Sequence, residues 1–373
     1  MARIVIVQPY VPAYRRPFFV ELARCLADDG HELTVASGLP DGEAGRRQDS
    51  VTLDGVHHET VPIQRLRFSN RVLRLGPSQS TWSHADAVIV ELAAGSVPTY
   101  RALLGDIPVG VWGHVDSFVS RDSFLTRRLR GWQVRKADHV MAYTERGAAT
   151  ARRYGAHADQ VTSLSNTVDT RPLREELLAA RSRSDQSVRR DLGVPDGPLF
   201  CVIGGLDGSK RVDLLETLLD LLWESGSPVK LLVGGRGTEE SRLERARERG
   251  QVFLFGHVDD PMKAKMARVS LGLLNPGRVG LIAVESLALG LPIITTKSDL
   301  HAPEFDYIHP GEDSIVVRPS ADALKEALTA LLHDPDRLVA LAQAAEARAD
   351  EYPMEHMVVQ MRRAIDALLQ RSR

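Results

Sequence analysis

Three groups of residues have types and spacing suited to chemistry. The first lies in LLNPGRVGLIAVESLALGLPIITT, residues 273–296. The pattern predicts a strand ending at Asn275, tight turns at Gly277 and Gly280, and a helix that starts near Gly280 with Glu285 one turn inside it. The free N–H groups of such a start carry about half a positive charge and suit a diphosphate or a sugar hydroxyl. Arg278, Val279 and Leu281 belong to the same turn, and Gly290 with Pro292 closes the helix. An ordinary β–α–β turn has the same pattern. The second group is CVIGGLDGSKRVDLL, residues 201–215, where Lys210 stands beside glycines. An ammonium beside glycines is a sensible ligand for a phosphate. The plain alternative, a solvated lysine at a helix start, opposes the helix dipole. The third is VWGHVDSF, residues 111–118, which sets His114 on a loop after a strand, where open α/β sheets bind ligands. A lone histidine is more often structural.

Short β-rich runs alternate with amphipathic helix-length stretches, the signature of parallel sheets covered by helices on both faces. In the first half the strands read Ile4–Val7, Leu33–Ser37, Ala87–Glu91, Val109–Trp112, His139–Tyr143 and Val161–Ser165. In the second they read Leu199–Ile203, Val229–Val233, Val252–Phe255, Ser270–Leu274, Ile293–Thr295 and Ser314–Val317. Residues 41–70 alternate less regularly and read as a hairpin or long loop. The polar stretch Arg181–Asp196 marks a boundary. A chain of 373 residues therefore divides into an N-terminal domain, 1–185, and a C-terminal domain, 190–350. Three helical segments follow Val317, and the terminal one, 353–373, is of a kind that can cross back onto the first domain.

Charge and composition exclude several classes. The net charge of −2 hides an excess of about five positive charges in residues 1–190 and about seven negative ones in the rest. That asymmetry suits an anionic acceptor or a membrane surface but falls short of a nucleic-acid footprint. The start, MARIVIVQPY, is interrupted by prolines too soon for a signal peptide or a spanning helix, so a cytoplasmic protein is expected. Cys25 and Cys201 behave as small hydrophobes rather than a disulfide pair. No Cys or His cluster has zinc spacing, and there is no nucleophile elbow or phosphate loop. The acid pair of Asp334-Pro335-Asp336 is better explained by Asp336 capping a helix than by a metal.

The segment 273–296 resembles the donor-site signature of the GT-B glycosyltransferases, most closely the retaining family-4 group, in which two glutamates stand eight positions apart. Glu285 matches the second, which in that family binds the ribose hydroxyls; Gly277 occupies the position of the first. Residues 201–215 resemble the segment in which an arginine and a lysine grip the diphosphate, with Lys210 present and Gly205 in place of the arginine. LLVGGRGTEESRLE, residues 231–244, resembles the next strand and glycine loop, where Arg236 can replace the lost cation. VFLFGHVDD, residues 252–260, resembles the strand end on which relatives rest the base, making Phe255, Gly256, His257 and Val258 candidates; a plain buried strand end fits each side chain as well. His114 resembles the family histidine beside the transferred sugar. Asn166 and Asp169 match a turn toward the linker, with Thr167 where glycine is usual. Arg15 and Arg16 stand where relatives have a glycine-rich loop facing the acceptor, so they either meet an anionic acceptor or form a solvated helix start.

The resemblance implies two Rossmann-like, doubly wound α/β domains facing a central cleft. It implies sugar transfer from a nucleotide-diphosphate sugar to an acceptor hydroxyl with retention of configuration, without metal or other cofactor. Catalytic roles fall to Lys210, His114 and Glu285. The acceptor is a small molecule, a glycan or a lipid-linked species. The basic run RRLRGWQVRK, residues 127–136, allows peripheral membrane contact, although a solvated helix face explains it equally. The rival is a catalytically silent relative that binds a sugar nucleotide or a partner enzyme, motivated by Gly205 and Gly277.

Overall fold

The structure, a computed structural model, describes residues 1–39, 51–68, 71–116 and 123–371. The chain forms two compact units, Met1–Asp169 with Pro353–Arg373, and Thr170–Tyr352. In the first unit the elements are β1 (Arg3–Gln8), α1 (Arg16–Asp28), β2 (Glu32–Ser37), β3 (His57–Thr60), β4 (Gln64–Phe68), β5 (Arg71–Leu75), β6 (Ala87–Glu91), α2 (Val97–Leu103), β7 (Val109–Gly113), α3 (Phe124–Lys136), β8 (His139–Ala142), α4 (Glu145–Arg153) and β9 (Val161–Ser163). The second unit contains α5 (Arg171–Arg181), α6 (Asp185–Leu192), β10 (Leu199–Ile203), α7 (Val212–Glu224), β11 (Lys230–Gly234), α8 (Glu244–Glu248), β12 (Val252–Gly256), α9 (Asp260–Val269), β13 (Leu273–Asn275), α10 (Ile282–Leu289), β14 (Ile293–Thr296), β15 (Ser314–Val317), α11 (Ala321–His333) and α12 (Pro335–Ala347). The chain then returns to the first unit as α13 (Met354–Arg371).

Both large sheets are parallel and doubly wound. The first runs β3-β2-β1-β6-β7-β8-β9 and the second β12-β11-β10-β13-β14-β15, so the order reverses beside β1 and beside β10. The inner strands, such as β1, β6, β7, β10, β13 and β14, are largely buried and apolar on both faces because helices cover both, whereas the edge strand β3 is polar and mostly exposed. In β1, Ile4 and Ile6 join one core with Phe18, Phe19, Leu22 and Met361, while Val5 and Val7 join the opposite core with Val88, Val90 and Val111. The irregular segment resolves into β3, parallel to β2, and an antiparallel hairpin of β4 and β5; its residues 40–50, 69 and 70 lie outside the described residues. Among the described residues no helix is long and apolar enough to cross a membrane.

Three expectations need correction. Residues 170–185 belong to the second unit, not the first, because Leu173, Leu177 and Ala180 bury one face of α5 against α9 and α10. The polar stretch 181–196 does not mark the boundary, which falls between Asp169 and Thr170: Ser184 caps α6, Gly193 ends it in the left-handed conformation, and Asp185 pairs with Arg268 at 3.1 Å. Asp336 is not a helix cap. Asp334 takes that place, its carboxylate accepting the Arg337 N–H at 3.0 Å, and Pro335 then fits the first helical position.

α13 supplies Met354, Met357, Val358, Met361, Ala364, Ile365 and Leu368 to the core that holds Ile4, Phe18 and Trp112. Replacing the fully buried Met361 by alanine is expected to cost about 2–5 kcal/mol. Peptide-resolved hydrogen exchange should show β1, β6 and β7 losing protection while β10, β11 and β13 keep theirs.

Candidate functional site

In doubly wound sheets, ligands bind at the carboxyl ends of the strands where the order reverses, because two adjacent loops there diverge to opposite faces. Both units carry their chemically suited residues at that place. In the second unit the loops after β10 and β13 meet directly. The turn Gly208–Lys210 is capped by Asp207, whose carboxylate accepts the Ser209 N–H at 2.9 Å. Arg211 follows in the left-handed conformation, φ 55°, a strained state for a side-chain-bearing residue of the kind found at functional sites. The Arg278 N–H donates to the Ser209 carbonyl at 2.7 Å, and Lys210 Nζ donates to the Arg278 carbonyl at 2.7 Å. The ammonium and the start of α10 are thus in one place.

Gly277 explains how the loops come so close. A Cβ there would lie 2.4 Å from Lys210 Cα and 2.4 Å from the Ser209 carbonyl oxygen, so no glutamate fits this position without displacing backbone. The glycine is a packing requirement of the loop. The neighbouring glycine loops pack equally closely: a Cβ on Gly235 would lie 1.8 Å from the Gly204 carbonyl oxygen, and one on Gly237 would lie 2.0 Å from that of Leu206. Gly205 has somewhat more space, with the Asp207 carboxylate 3.2 Å from such a Cβ.

The amides of the turn are not all available. Val279 is buried and its N–H donates to His301 Nδ1 at 3.0 Å, which corrects the expectation that it faces a ligand. The Arg278 amide is likewise taken up by Ser209. Gly280 and Leu281 remain, half-buried, their N–H groups without an acceptor among the described residues. They form the positive end of α10. Arg236 is exposed; its carbonyl accepts the Leu206 N–H at 2.9 Å, while its guanidinium makes no hydrogen bond or ion pair among the described residues and passes over Gly256, its Nε 3.0 Å from the Cβ position there. A second cation therefore stands at the end of β12.

The candidates for base and ribose separate into two kinds. Phe255 and Gly256 are half-buried and His257 exposed, whereas Val258 is buried with its methyls against Gly234, so its side chain belongs to the core. Glu285 Oε1 accepts from Lys263 Nζ of α9 at 2.7 Å, and its other oxygen has no hydrogen bond among the described residues. Burial works against the charge of Lys263, but Glu285 and Asp260 outweigh it and hold its pKa above the ordinary lysine value. Lys263 thus fixes the carboxylate through one of its two oxygens.

Residues after β14 were not foreseen. Thr296 Oγ1 donates to the Pro276 carbonyl at 2.7 Å, and the Ala302 N–H donates to the Val279 carbonyl at 2.8 Å. His301, stacked on Phe305 at 4.0 Å, accepts the Val279 N–H at Nδ1 and must donate from Nε2 to the Thr296 carbonyl at 2.8 Å, which fixes its neutral tautomer. Burial, followed by the cations Lys210 and Arg278, pushes its pKa down against the pull of the Thr296 carbonyl. Glu304 is buried on the same segment, its Oε2 3.8 Å from a Cβ on Gly280, so a carboxylate does reach this loop from another part of the chain. The only sequence signal was polar residues directly after an apolar strand.

In the first unit, the ends of β1, β6, β7 and β8 surround an open cavity of about 160 Å³ lined by Gln8, Tyr10, Arg15, Glu91, His114 and Tyr143 among others. His114 lies half-buried after Gly113, its ring edge-on to Tyr143 at 4.6 Å. Arg15 is not at a solvated helix start: it is 4% exposed and donates to Asn166 Oδ1 and, at 3.3 Å, to Met357 Sδ. Asn166 thus serves Arg15 as well as its turn. Arg16 points away to Asp54, 2.7 Å distant, with both side chains exposed. Residues 117 and 118 of the His114 segment lie outside the described residues.

Two family models divide the chain between them. Glycosyl transferases group 1 matches residues 184–348, and Glycosyltransferase Family 4 matches residues 18–171. Sulfoquinovosyl transferase SQD2 of Arabidopsis thaliana is 21% identical over 359 residues, covering 92% of this chain and 68% of that protein. Among solved structures, Anabaena HepE in complex with UDP superposes with a TM-score of 0.70 at 15% identity, covering 98% of this chain and 100% of that one. Sucrose-phosphate synthase from Thermosynechococcus elongatus gives 0.68 at 15% identity, with full coverage of both chains.

Two outcomes are expected from this geometry. Gly277→Ala should lower the stability of the second unit by about 1–3 kcal/mol through overpacking, measured by denaturant unfolding. His301 makes a contribution that depends on pH. Its folded pKa lies below the unfolded value of about 6.5, so the stabilisation is complete above that pH and is lost as pH falls through the folded pKa. His301→Gln should flatten the fall of stability on acidification below about pH 6.5; an unchanged slope would show that the imidazole binds its proton equally well in the folded and unfolded chains.

Proposed function

We propose that this chain, which belongs to the GT-B glycosyltransferases, moves a sugar from a nucleotide-diphosphate donor to an acceptor hydroxyl with retention of configuration and without a divalent cation. The observation that carries the reading is the hydrogen bond from Lys210 Nζ to the Arg278 carbonyl, which holds the ammonium on the turn that leads through Gly280 and Leu281 into α10. In the reaction the bond from the anomeric carbon to the diphosphate oxygen breaks, and negative charge collects on the leaving group. The acceptor oxygen bonds to the anomeric carbon on the same face, and its proton passes to the departing phosphate. Fixed cations and dipoles aimed at that charge supply the catalysis. Lys210, Arg236 and the start of α10 do this in the second unit, so the protein's own charges stand where a metal otherwise would. Glu285, steadied by Lys263, takes the ribose diol, and Phe255, Gly256 and His257 the base.

HepE, the Anabaena neighbour, binds UDP and UDP-glucose, which supports a uridine donor as the first to try. His114 lines the cavity of the first unit, to which this reading assigns the sugar acceptor, whether small molecule, glycan or lipid-linked. The first turn of α3 exposes Phe124 and Leu125 beside Arg127 and Arg128, a composition that suits peripheral contact with an anionic membrane. One observation favours a silent relative that only binds a sugar nucleotide. The closure at Gly277 leaves no room for the carboxylate that relatives place against the donor sugar.

Incubating the purified chain with UDP-, GDP-, TDP- and ADP-sugars, with and without a chelator, separates the two. Transfer or slow donor hydrolysis that survives chelation, with the product anomer read by NMR, is the expected result. Lys210→Ala should lower kcat by about a hundredfold or more. Nucleotide binding without turnover on any donor would favour the silent relative.

A further inference from the structure

We propose that the cavity of the first unit recognises an anionic group on the acceptor, a carboxylate or a phosphate monoester, with Arg15 as its counter-ion. This rests on the reading of the chain as a sugar transferase, but its physical basis is independent of the donor. Arg15 is almost completely buried, yet its guanidinium donates only to the uncharged Asn166 Oδ1 and Met357 Sδ, and among the described residues no carboxylate lies within ion-pair distance of it. Four rings surround it, Tyr14 at 5.2 Å, Trp112 at 5.4 Å, Tyr143 at 5.8 Å and Phe18 at 5.9 Å from centroid to guanidinium carbon. These faces offset part of the desolvation of the cation but do not neutralise it.

The remaining charges leave the cavity positive. Glu91 is the one carboxylate among the lining residues, and it already pairs with Arg74 at 2.5 Å. Arg16, next in the chain, has Asp54 for a partner at the surface, so the chain supplies a counter-ion to the exposed arginine and not to the buried one. Burying an unpaired guanidinium costs stability, and its placement on the wall of an open cavity is accounted for if a ligand completes the pair. Tyr10, Tyr14, His114 and Tyr143 ring the same space with groups able to hydrogen-bond the rest of an acceptor. The fork of the guanidinium suits two oxygens of one anionic group.

The test compares sugars that differ at C6, one neutral and two anionic. Glucose, glucuronate and glucose 6-phosphate are titrated into the full chain at fixed ionic strength by isothermal titration calorimetry, with UDP titrated separately. At least one charged sugar should bind about tenfold to a hundredfold tighter than glucose, and the preference should shrink with added salt. Arg15→Gln should abolish the preference, Arg15→Lys should keep part of it, and UDP affinity should not change in either. The comparison on the unaltered chain needs no variant, so a misfolded Arg15→Gln protein does not remove the test. Equal binding of charged and neutral sugars overturns the proposal, as does absence of binding by all three or loss of UDP affinity in Arg15→Gln. Failure of the unaltered chain to bind UDP counts instead against the donor site, while the charge comparison still stands or falls by itself.

Discussion

The closure of two backbone loops on each other in the second unit underlies the rest of its site. A hydrogen bond from the Arg278 amide to the Ser209 carbonyl fixes the distance between the turn after β10 and the loop after β13. That bond forms only because nothing projects from Gly277. Lys210 is then held by the Arg278 carbonyl beside the opening turn of α10. The cation is placed by main chain more than by side-chain packing, so the long, flexible lysine stem adds little uncertainty to its position. The segment after β14 braces the same loop from its other side through Thr296, His301 and Ala302.

The first unit meets a related problem by different means. Its loop after β1 is stiffened by Pro9 and Pro12, and the turn Ala13–Arg15 directs Arg15 inward beneath α1. Aromatic faces hold this guanidinium where the second unit uses carbonyls to hold an ammonium. The two units share a sheet topology and a place for ligands, but one presents bare backbone and the other a cage of rings. Fold and site are separable in this sense, because the strand order chooses the place and the loops choose the chemistry.

Much of this was legible in the residues. The alternation of apolar runs and amphipathic stretches gives both sheets, because strands buried on two faces must be apolar throughout. The proximity of Lys210 to Gly280 also follows from sequence, since both flank strands that a doubly wound order brings side by side. What was not legible arises from contacts between distant segments. His301 and Glu304 enter from a later loop and Lys263 from the neighbouring helix α9, and none carries a local signal. Val258 looked like a ligand contact from its position after a strand, but Gly234 opens a hole that its methyls fill. For Arg15 an acceptor contact and a solvated helix start fitted the sequence alike, and only the approach of Met357 and Asn166 reveals its burial. Asp336 read as the helix cap, but Pro335 takes the first helical position and so leaves the cap to Asp334.

The return of α13 to the first unit has a consequence for how the polypeptide is made. The second unit, Thr170–Tyr352, leaves the ribosome with every strand and helix it needs. The first, although its sheet is synthesised earlier, has Ile4, Ile89 and Met141 without their cover until the methionines of α13 emerge. The later-encoded unit can therefore mature first, and the amino-terminal sheet must wait with an oily flank open to solvent or to a chaperone.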